Sequence, residues 1–411
     1  MNKKWKNVKL EDVVDILDNL RKPITKRDRI EGDYPYYGAT GILSYVNDYI
    51  FSEKLVLIGE DGAKWDSGDN TAFIVEGKYW VNNHAHVIRP NRDKVLDEWI
   101  VYYINYRDLS PFVTGMTVPK LNQKNLRSIP IPLPPLPEQQ RIVSILHHCF
   151  EAIDKAKANA EQNLRNAKEL FESYLQGVFE KKSINWTEKK INQVSELQPK
   201  KKEAREKLKE TDLVTFLPMK DLGILNKEVV GKEKRQFKDV VKGYTYFADN
   251  DILLAKITPC FENGKIGIAK NLINGIGFGS SEYMVFRSLG DILPEYLYYF
   301  LSRNQIRVEG ESFMGGAVGH RRVSKEWIEN YIIPFPKSLK EQEVIVQELD
   351  ALHEQTQQLQ SHYQKKIDNL EELKQSILQK AFAGELKTEK MVEETPLAPI
   401  SESVCCEAEK I

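Results

Sequence analysis

Cysteine is scarce in this chain of 411 residues: only Cys149, Cys260, Cys405 and Cys406 occur, and none stands in a CxxC. A disulfide framework or a cysteine-based zinc site is therefore not expected, and reduced thiols in a cytoplasm fit better. Long apolar runs are missing too. No window approaches the ~18 consecutive apolar residues of a membrane span. Met1-Asn2-Lys3-Lys4-Trp5 is followed by charged residues and not by the apolar core of a signal peptide. Net charge is almost absent, with 59 Lys and Arg against 60 Asp and Glu. Apolar residues at 41% and charged residues at 29% give a globular composition, and the length suits two or three domains at ~100–200 residues each.

What the chain does contain is written twice. Ile131-Pro132-Leu133-Pro134 returns as Ile333-Pro334-Phe335-Pro336, and Leu136-Pro137-Glu138-Gln139 as Leu339-Lys340-Glu341-Gln342. From there an offset of 203 runs without a gap from Phe179 back to Glu138 and from Phe382 back to Glu341. Upstream the match is weaker. Val87-Ile88-Arg89 faces Val285-Phe286-Arg287 at an offset of 198, and Leu55-Val56-Leu57 faces Ile252-Leu253-Leu254 at 197. Each copy reads as a variable globular part followed by a constant tail.

The constant tails have a helical pattern. Pro130, Pro132, Pro134, Pro135 and Pro137 forbid regular helix before Glu138, and no proline or glycine follows until Gly177. Apolar residues then recur at Ile142, Leu146, Ile153, Ala160 and Leu170 in mostly alternating steps of 4 and 3. In the second copy the same register marks Ile345, Leu349, Leu352, Leu359 and Leu373. Consecutive steps of 3 around Ala167 and Leu370 predict local overwinding. The first seam is rich in alanine and the second in leucine and tyrosine, which favours pairing of the two helices, antiparallel because a globular domain lies between them. Packing of each helix on its own domain, or in a homodimer, is the alternative.

The globular parts, residues 1–129 and 184–332, read as mixed α/β. Strand-like runs lie at 54–59, 71–75 and 85–89, and again at 251–256, 266–269 and 283–287. Residues 98–106 and 294–304 read as helices. Residues 385–411 form an acidic, proline-containing tail that is expected to be disordered. Its seven acidic residues and three lysines leave 56 basic against 53 acidic residues before it, so the remainder is mildly basic.

Catalytic signatures are missing. There is no GxxxxGK[ST] phosphate loop, and Gly277-Phe278-Gly279-Ser280-Ser281 fits the start of a strand better than a nucleophile elbow. His84-Ala85-His86 could hold a metal from one strand face, but no third ligand lies near in sequence, which favours a non-metal role. Asp61, Lys64 and Asp66 form a common kind of acidic turn. A binding role is therefore favoured over an enzyme. Thr117-Val118-Pro119-Lys120-Leu121-Asn122-Gln123-Lys124-Asn125 and Gly319-His320-Arg321-Arg322-Val323-Ser324-Lys325 occupy the same place in the two copies. Their cations can neutralise phosphates, and Asn, Gln and Arg read base edges. The competing reading is a solvated loop ahead of a helix. Lys200-Lys201-Lys202, and Arg21-Lys22 with Lys26-Arg27, read as plain surface.

The phrase Ile129-Pro130-Ile131-Pro132-Leu133-Pro134-Pro135-Leu136-Pro137-Glu138-Gln139-Gln140-Arg141-Ile142 resembles a hallmark of type I restriction–modification specificity subunits. Tyr34-Pro35-Tyr36-Tyr37-Gly38-Ala39-Thr40-Gly41-Ile42, Val56-Leu57-Ile58-Gly59-Glu60-Asp61-Gly62-Ala63 and Asn83-His84-Ala85-His86 resemble it as well. So do Lys256-Ile257-Thr258-Pro259-Cys260-Phe261-Glu262-Asn263-Gly264-Lys265 and Gly279-Ser280-Ser281-Glu282-Tyr283. The resemblance covers residues ~5–384. Ser338-Leu339-Lys340-Glu341-Gln342 departs from the family's Pro-Leu-Pro-Glu-Gln, for which a looser helix entry is expected.

The resemblance implies an α/β (α+β) fold: two pseudo-symmetric globular target recognition domains separated by two long helices paired as an antiparallel coiled coil. The expected divisions are recognition domain 1 at 1–135, a central helix at 136–182, recognition domain 2 at 183–337, a C-terminal helix at 338–384 and the tail. Each domain would read one half of a split, asymmetric site in double-stranded DNA. The helices would set the spacer and dock two modification (methyltransferase) subunits, and restriction (translocase and endonuclease) subunits would join. The chain itself would be non-catalytic and bind no cofactor or metal. S-adenosylmethionine would belong to the modification subunit, and ATP and Mg to the restriction subunit. The setting would be the cytoplasm of a bacterium or archaeon, without a membrane. A helical scaffold that binds proteins and not DNA is the alternative. DNA-facing candidates by resemblance are Thr114, Thr117, Lys120, Asn122, Gln123, Lys124, His320, Arg321, Arg322 and Lys325. Tyr37, Lys64, Lys256, Thr258, Asn263 and Lys265 are further candidates. Base readers must lie partly in idiosyncratic stretches such as 65–70 and 227–236.

Overall fold

The computed structural model describes residues 5–115, 117–181, 185–231, 233–317 and 319–386. Two compact units divide the chain, one built from residues up to Ala160 together with those from Lys365 onward, the other from Glu161 to Gln364. Of the acidic tail, 385–411, residues 387–411 lie outside the described residues; Leu386, the last described residue, is buried.

The first unit follows the order β1 (Lys6–Lys9), β2 (Val14–Ile16), β3 (Tyr34–Gly38), β4 (Gly41–Val46), β5 (Leu55–Gly59), β6 (Ala72–Val75), β7 (Trp80–Val81) and β8 (Ala85–Pro90). Then come α1 (Asp97–Tyr106), α2 (Gln123–Arg127), β9 (Pro130–Leu133) and the start of α3 (Leu136–Glu180). An antiparallel sheet runs β2-β8-β5-β6, and a smaller one β4-β3-β7. Every residue of β5 is buried, as expected of an unbroken apolar run at the centre of a sheet. The proline-rich β9 pairs only with β1, where a missing amide donor costs little. Pro137 falls in the first turn of α3, so the helix starts two residues before Glu138.

The second unit repeats this plan with an insertion. Its elements are β10 (Trp186–Lys190), α4 (Ile191–Val194), β11 (Ser195–Leu197), α5 (Lys202–Lys207), β12 (Leu213–Leu217), β13 (Glu228–Val229), β14 (Glu233–Gln236), α6 (Phe237–Val240), β15 (Thr245–Ala248) and β16 (Ile252–Ala255). They continue with β17 (Ile266–Ala269), β18 (Ile276–Gly279), β19 (Tyr283–Ser288), α7 (Pro294–Ser302), α8 (Asn304–Ser312), β20 (Met314–Gly315), β21 (Arg322–Val323), α9 (Lys325–Glu329), β22 (Ile332–Pro336) and α10 (Leu339–Phe382). The sheet β11-β19-β16-β17-β13 corresponds to the main sheet of the first unit. The extra sheet β14-β12-β18-β15 has its own core around Val214, Phe237, Tyr246 and Phe278. The run from Gly277 to Gly279 is a strand there, as its sequence suggested. Strand register corrects one alignment. Ile58 faces His86, and Leu254 faces Met284, which places Val56 opposite the position of Ile252 at an offset of 196, not 197.

The joint between each globular part and its long helix is the same in both units. Gln139 is fully buried; its amide nitrogen donates to the carbonyls of Lys94 (2.9 Å) and Pro134 (2.8 Å), and its oxygen accepts from the Leu96 amide (3.0 Å). Gln342 does the same with Asp291 (3.0 Å), Pro336 (2.8 Å) and Leu293 (2.8 Å). Trp99 and Tyr296 add a hydrogen bond to the carbonyls of Pro132 (2.9 Å) and Pro334 (3.0 Å).

Both units also contain an antiparallel helix pair. In the first, Asp154 meets Lys374 (3.2 Å) and Lys157 meets Glu371 (2.5 Å), so numbers rise along α3 as they fall along α10. In the second, Phe171 packs on His353 with ring centroids 4.7 Å apart, and the Tyr174 hydroxyl lies 3.4 Å from Glu348. Along the expected seam, Ile142, Leu146, Ile153, Ala160 and Leu349 are buried and Ile345 and Leu352 half-buried, with Ile142, Leu146 and Ile153 sharing the core of the first globular part and Leu349 that of the second. Leu170, Leu359 and Leu373 depart from it, at 52%, 42% and 47% exposure. The steps of 3 are not taken. After Ala167 the buried stripe continues through Phe171, Leu175 and Phe179, and on α10 it passes Thr356, Gln360, Tyr363 and Ile367. A regular helix keeps its phase, because shifting it by a residue would strain the hydrogen-bond ladder.

Two predictions follow from these contacts. Replacing Gln139 or Gln342 with Leu removes three hydrogen bonds to backbone groups, one of them buried and two part-buried, and should cost about 2 kcal/mol or more. Hydrogen–deuterium exchange should show loosening in the altered unit only. Leu175→Ala should cost about 2–5 kcal/mol in chemical unfolding, whereas Leu170→Ala should stay within about 0.5 kcal/mol.

Candidate nucleic-acid interface

The two cationic loops are built alike. In the first unit the Leu121 amide donates to the Glu60 carbonyl (2.8 Å), and the Glu60 amide to that of His84 (2.8 Å). In the second, the Val323 amide donates to the Lys256 carbonyl (2.9 Å), and the Lys256 amide to that of Glu282 (2.9 Å). Each loop is therefore tied to the residue that follows the central strand, β5 or β16. Each closes on itself, through the paired main chains of Thr114 and Lys120 and of Gly315 and Arg322. The turn needs glycine. Gly115 has φ +98°, and a Cβ there would lie 2.5 Å from the Val118 carbonyl; Gly316 has φ +122°, with the His320 carbonyl at 2.9 Å. Each loop then enters a short helix capped by a side chain, Asn122 accepting from the Asn125 amide (2.9 Å) and Ser324 from that of Trp327 (3.3 Å).

Most of the cations in these loops already face carboxylates. Lys120 lies 2.9 Å from Glu60 and 3.7 Å from Asp61, and the Glu60 hydrogen bond raises its ammonium pKa. Arg322 makes a two-pronged contact with Glu282 (2.9 and 2.8 Å), which holds that carboxyl below its ordinary value. Arg321 reaches Glu311 (3.2 Å), and Lys325 reaches Glu329 (3.7 Å). Asn122 donates to the Thr114 hydroxyl (3.2 Å), and Gln123 to Asp18 (3.0 Å). Lys256 donates to the Ser281 carbonyl (2.9 Å), Lys265 to that of Met219 (2.8 Å), and Thr258 to Glu262 (2.7 Å). Tyr37 is half-buried against Phe73 and Tyr79. Thr117 and Lys124 in the first loop, with Lys64 and Asn263 elsewhere, are exposed and have no side-chain hydrogen bond or ion pair among the described residues. His320 is exposed on the second loop.

Beneath the first loop lies a buried ionic cluster. His86 is fully buried, with Nδ1 2.6 Å from Asp18 and Nε2 2.6 Å from the Leu121 carbonyl. Arg21, which the sequence suggested was plain surface, contacts Glu60 (2.5 Å) and Asp18 (3.4 Å). Burial pushes the Asp18 carboxyl up, but His86, the Val87 amide and Arg21 outweigh it and hold it below its ordinary value. Asp18, Glu60 and His86 are close enough to surround an ion. Arg21 and Lys120 already supply the positive charge, so the arrangement is an ion cluster and not a metal cage. His84 and His86 do not share a site: His84 is exposed and pairs with Asp61. Sequence reasoning missed Asp18 and Arg21. The only signal was the spacing of Glu60 and His86 inside phrases noted for other reasons.

Residues 2–163 and 183–371 match the model of the type I restriction modification DNA specificity domain, and the chain belongs to that family. It is 39% identical over 170 residues to the type I restriction enzyme EcoAI specificity subunit of Escherichia coli, covering 40% of this chain and 28% of that protein. It is 23% identical to the MjaVIII specificity subunit of Methanocaldococcus jannaschii, over 94% of both chains. The chain spans about a third or less of the length of the curated relatives it matches at near 40% identity. A solved chain from work on complex assembly and conformational transition of the type I R-M system shares the fold. Its TM-score is 0.67 at 19% identity, covering 93% of this chain and 99% of that one. Among the described residues, no helix is long and apolar enough to cross a membrane.

The Asp18 shift has a direction in pH. A carboxyl held below its ordinary 3.8 stabilises the folded unit above that value and loses this contribution as pH falls through the lower folded-state value. Asp18→Asn should therefore weaken the first unit at neutral pH and flatten its loss of stability below about pH 4. Unfolding midpoints across pH, with exchange of the Val87 amide, check this.

Proposed function

We propose that the chain is the DNA sequence-specificity subunit of a type I restriction–modification complex. Each globular half reads one half of a bipartite, asymmetric site in double-stranded DNA. The long helices set the unread spacer and dock two modification (methyltransferase) subunits, and restriction subunits complete the assembly. The chain supplies recognition and no catalysis. S-adenosylmethionine is held by the modification subunits, and ATP with Mg by the restriction subunits.

The observation that carries this reading is the duplication of one loop architecture. Two loops of different sequence hang from the same backbone position, close on a glycine and run into a capped helix. A scaffold that only bound proteins would not need a matched pair of cationic loops whose side chains differ. Difference in side chains on equal anchors is what reading two different half-sites requires. Phosphates would compete with Glu60, Asp61 and Glu282 for Lys120 and Arg322. The chain alone should therefore hold DNA weakly, with much of the phosphate affinity coming from partner subunits.

Methylome sequencing of a host carrying this chain with its modification subunit should show one bipartite N6-methyladenine motif. A symmetric, unsplit motif, or one that does not depend on this chain, would contradict the proposal. Inserting a heptad into α3 between Ala156 and Ala167, with a matching heptad in α10 between Thr356 and Ile367, should lengthen the spacer while both half-sites persist. Altered half-sites would sink the spacer role.

A further inference from the structure

We infer that the first unit takes up an extended, basic segment of a modification subunit as a further strand on the free edge of β6, with an apolar side chain seated in the groove between α1 and the helix pair. The inference rests on the reading under "Proposed function". It adds to docking on the helices a contact that only one of the two copies can make.

The two main sheets differ by one strand. In the first unit the sheet ends at β6, whereas in the second β17 carries β13 beyond it, in a parallel pair. Ile58 and Leu254 are counterparts by register. Ile58 faces Ala72 and Leu254 faces Ile266, so two positions further on Ile74 corresponds to Ile268. The Gly59 amide donates to the Thr71 carbonyl (2.9 Å), so along β6 the main-chain groups of Ala72 and Ile74 point away from β5. Asn105 satisfies both groups of Ala72 (2.7 and 2.9 Å). Those of Ile74 have no hydrogen-bond partner among the described residues. At the matching place the Ile268 amide donates to the Lys227 carbonyl (2.7 Å), and the Lys270 amide to that of Val229 (3.2 Å). β17 is buried throughout, while Phe73 and Ile74 in β6 are half-buried. An unpaired edge of this kind is a template on which another chain can add a strand.

The segment that covers this edge in the second copy also fills a hollow that the first copy leaves open. With offsets of 197 for α1 and 203 for the long helices, Tyr102, Phe150 and Leu378 correspond to Tyr299, His353 and Leu175. These residues line a groove of about 1030 Å³ in the first unit and a hollow of about 30 Å³ in the second. Leu225 lines the smaller one. Lys227 lies over the Tyr299 ring (5.2 Å) and reaches Asp350 (2.5 and 2.6 Å). Lys227 belongs to a stretch from which the sequence suggested base readers, and it closes this hollow instead. Residues 225–229 thus bring an apolar side chain and a cation to the wall and a strand to the edge. The first unit suits a segment of like chemistry. Asn105 both lines its groove and bonds Ala72, so groove and edge adjoin. The groove wall holds five carboxylates, Asp69 and Glu372 among them, against two lysines, which favours a cation. The acidic tail of this chain has the wrong sign for it. The far wall is the helix pair, the surface on which the proposed function docks modification subunits, and this makes such a subunit the source.

The test uses the full chain assembled with its modification subunits. A photoreactive side chain at Asn70 or at Gln379, both exposed on the groove, should label one and the same segment of a modification subunit. The labelled peptide should combine a lysine or arginine with apolar residues. Glu76→Pro removes the amide that corresponds to that of Lys270, on the free side of the edge, where a proline leaves the strand intact. Glu372→Lys reverses one charge on an exposed stretch of α10 and does not depend on strand geometry. Each change should weaken uptake of one modification subunit roughly fivefold or more and leave the other as it was, read by native mass spectrometry along a titration. The inference is overturned if the two positions label only residues 387–411, a second copy of this chain or DNA. It is equally overturned if both variants take up modification subunits as the unsubstituted chain does. If the unsubstituted chain takes up no modification subunit at all, the proposed function itself fails.

Discussion

A single buried carboxamide at the start of each long helix fixes where that helix leaves its globular half. Gln139 and Gln342 each satisfy a buried carbonyl in the turn from strand to helix, together with a part-buried carbonyl and amide just ahead of α1 or α7. Glutamine suits the place because its side chain ends in two donors beside an acceptor; glutamate would turn an oxygen toward two carbonyls. The tie also reaches the first turn of α1 or α7, through the amides of Leu96 and Leu293. One residue thereby orients a helix, a ribbon strand and the helix beneath the sheet. The joint is the same in both copies although the globular halves have diverged.

The near cancellation of charge in the sequence has a local counterpart. Lys120 and Arg322 are balanced within their own loops, and Arg21 is used inside the fold. The second copy repeats a further balance found in the first: Arg89 grips Glu53 with two prongs (2.9 and 2.5 Å), and Arg287 grips Asp251 in the same way (2.8 and 2.7 Å). In the second unit Arg287 also reaches Glu203 (2.9 Å), whose carboxyl is lowered to about 2 by hydrogen bonds from Lys207 and Tyr246 and by Arg287. This ties the inserted segment to the shared sheet. Cations that look available in the sequence are thus partly spent on holding loops and insertions in place.

Much of this architecture was legible in the sequence because repetition and periodicity are one-dimensional signals. The apolar run of β5, the proline-rich stretch that holds off helix before α3 and the helical constant tails were all visible without coordinates. The departures have physical causes. Leu170, Leu359 and Leu373 looked like seam residues because spacing treats every leucine alike, while the helix keeps its phase, half-buries Phe171 and buries Leu175 instead. The extra sheet β14-β12-β18-β15 escaped notice because its strands are short and pair across long separations, including the parallel pair of β12 and β18. Glu282 lay in a phrase noted only for resemblance, and its pairing with Arg322, forty positions on, needed the fold. The His86 cluster joins residues 18, 21, 60, 86 and 121, which no local pattern brings together.

The central claim is that two equivalent loops, one in each copy, face two separate tracts of one duplex. Photo-crosslinking tests it most directly. A photoreactive side chain is placed at Lys124 or at His320 in the assembled complex, and the attached nucleotides on a duplex carrying the methylated motif are mapped. The account predicts that the two positions label different half-sites, with the unread spacer between them unlabelled. Labelling of a single shared tract, or of DNA without regard to the motif, would contradict it.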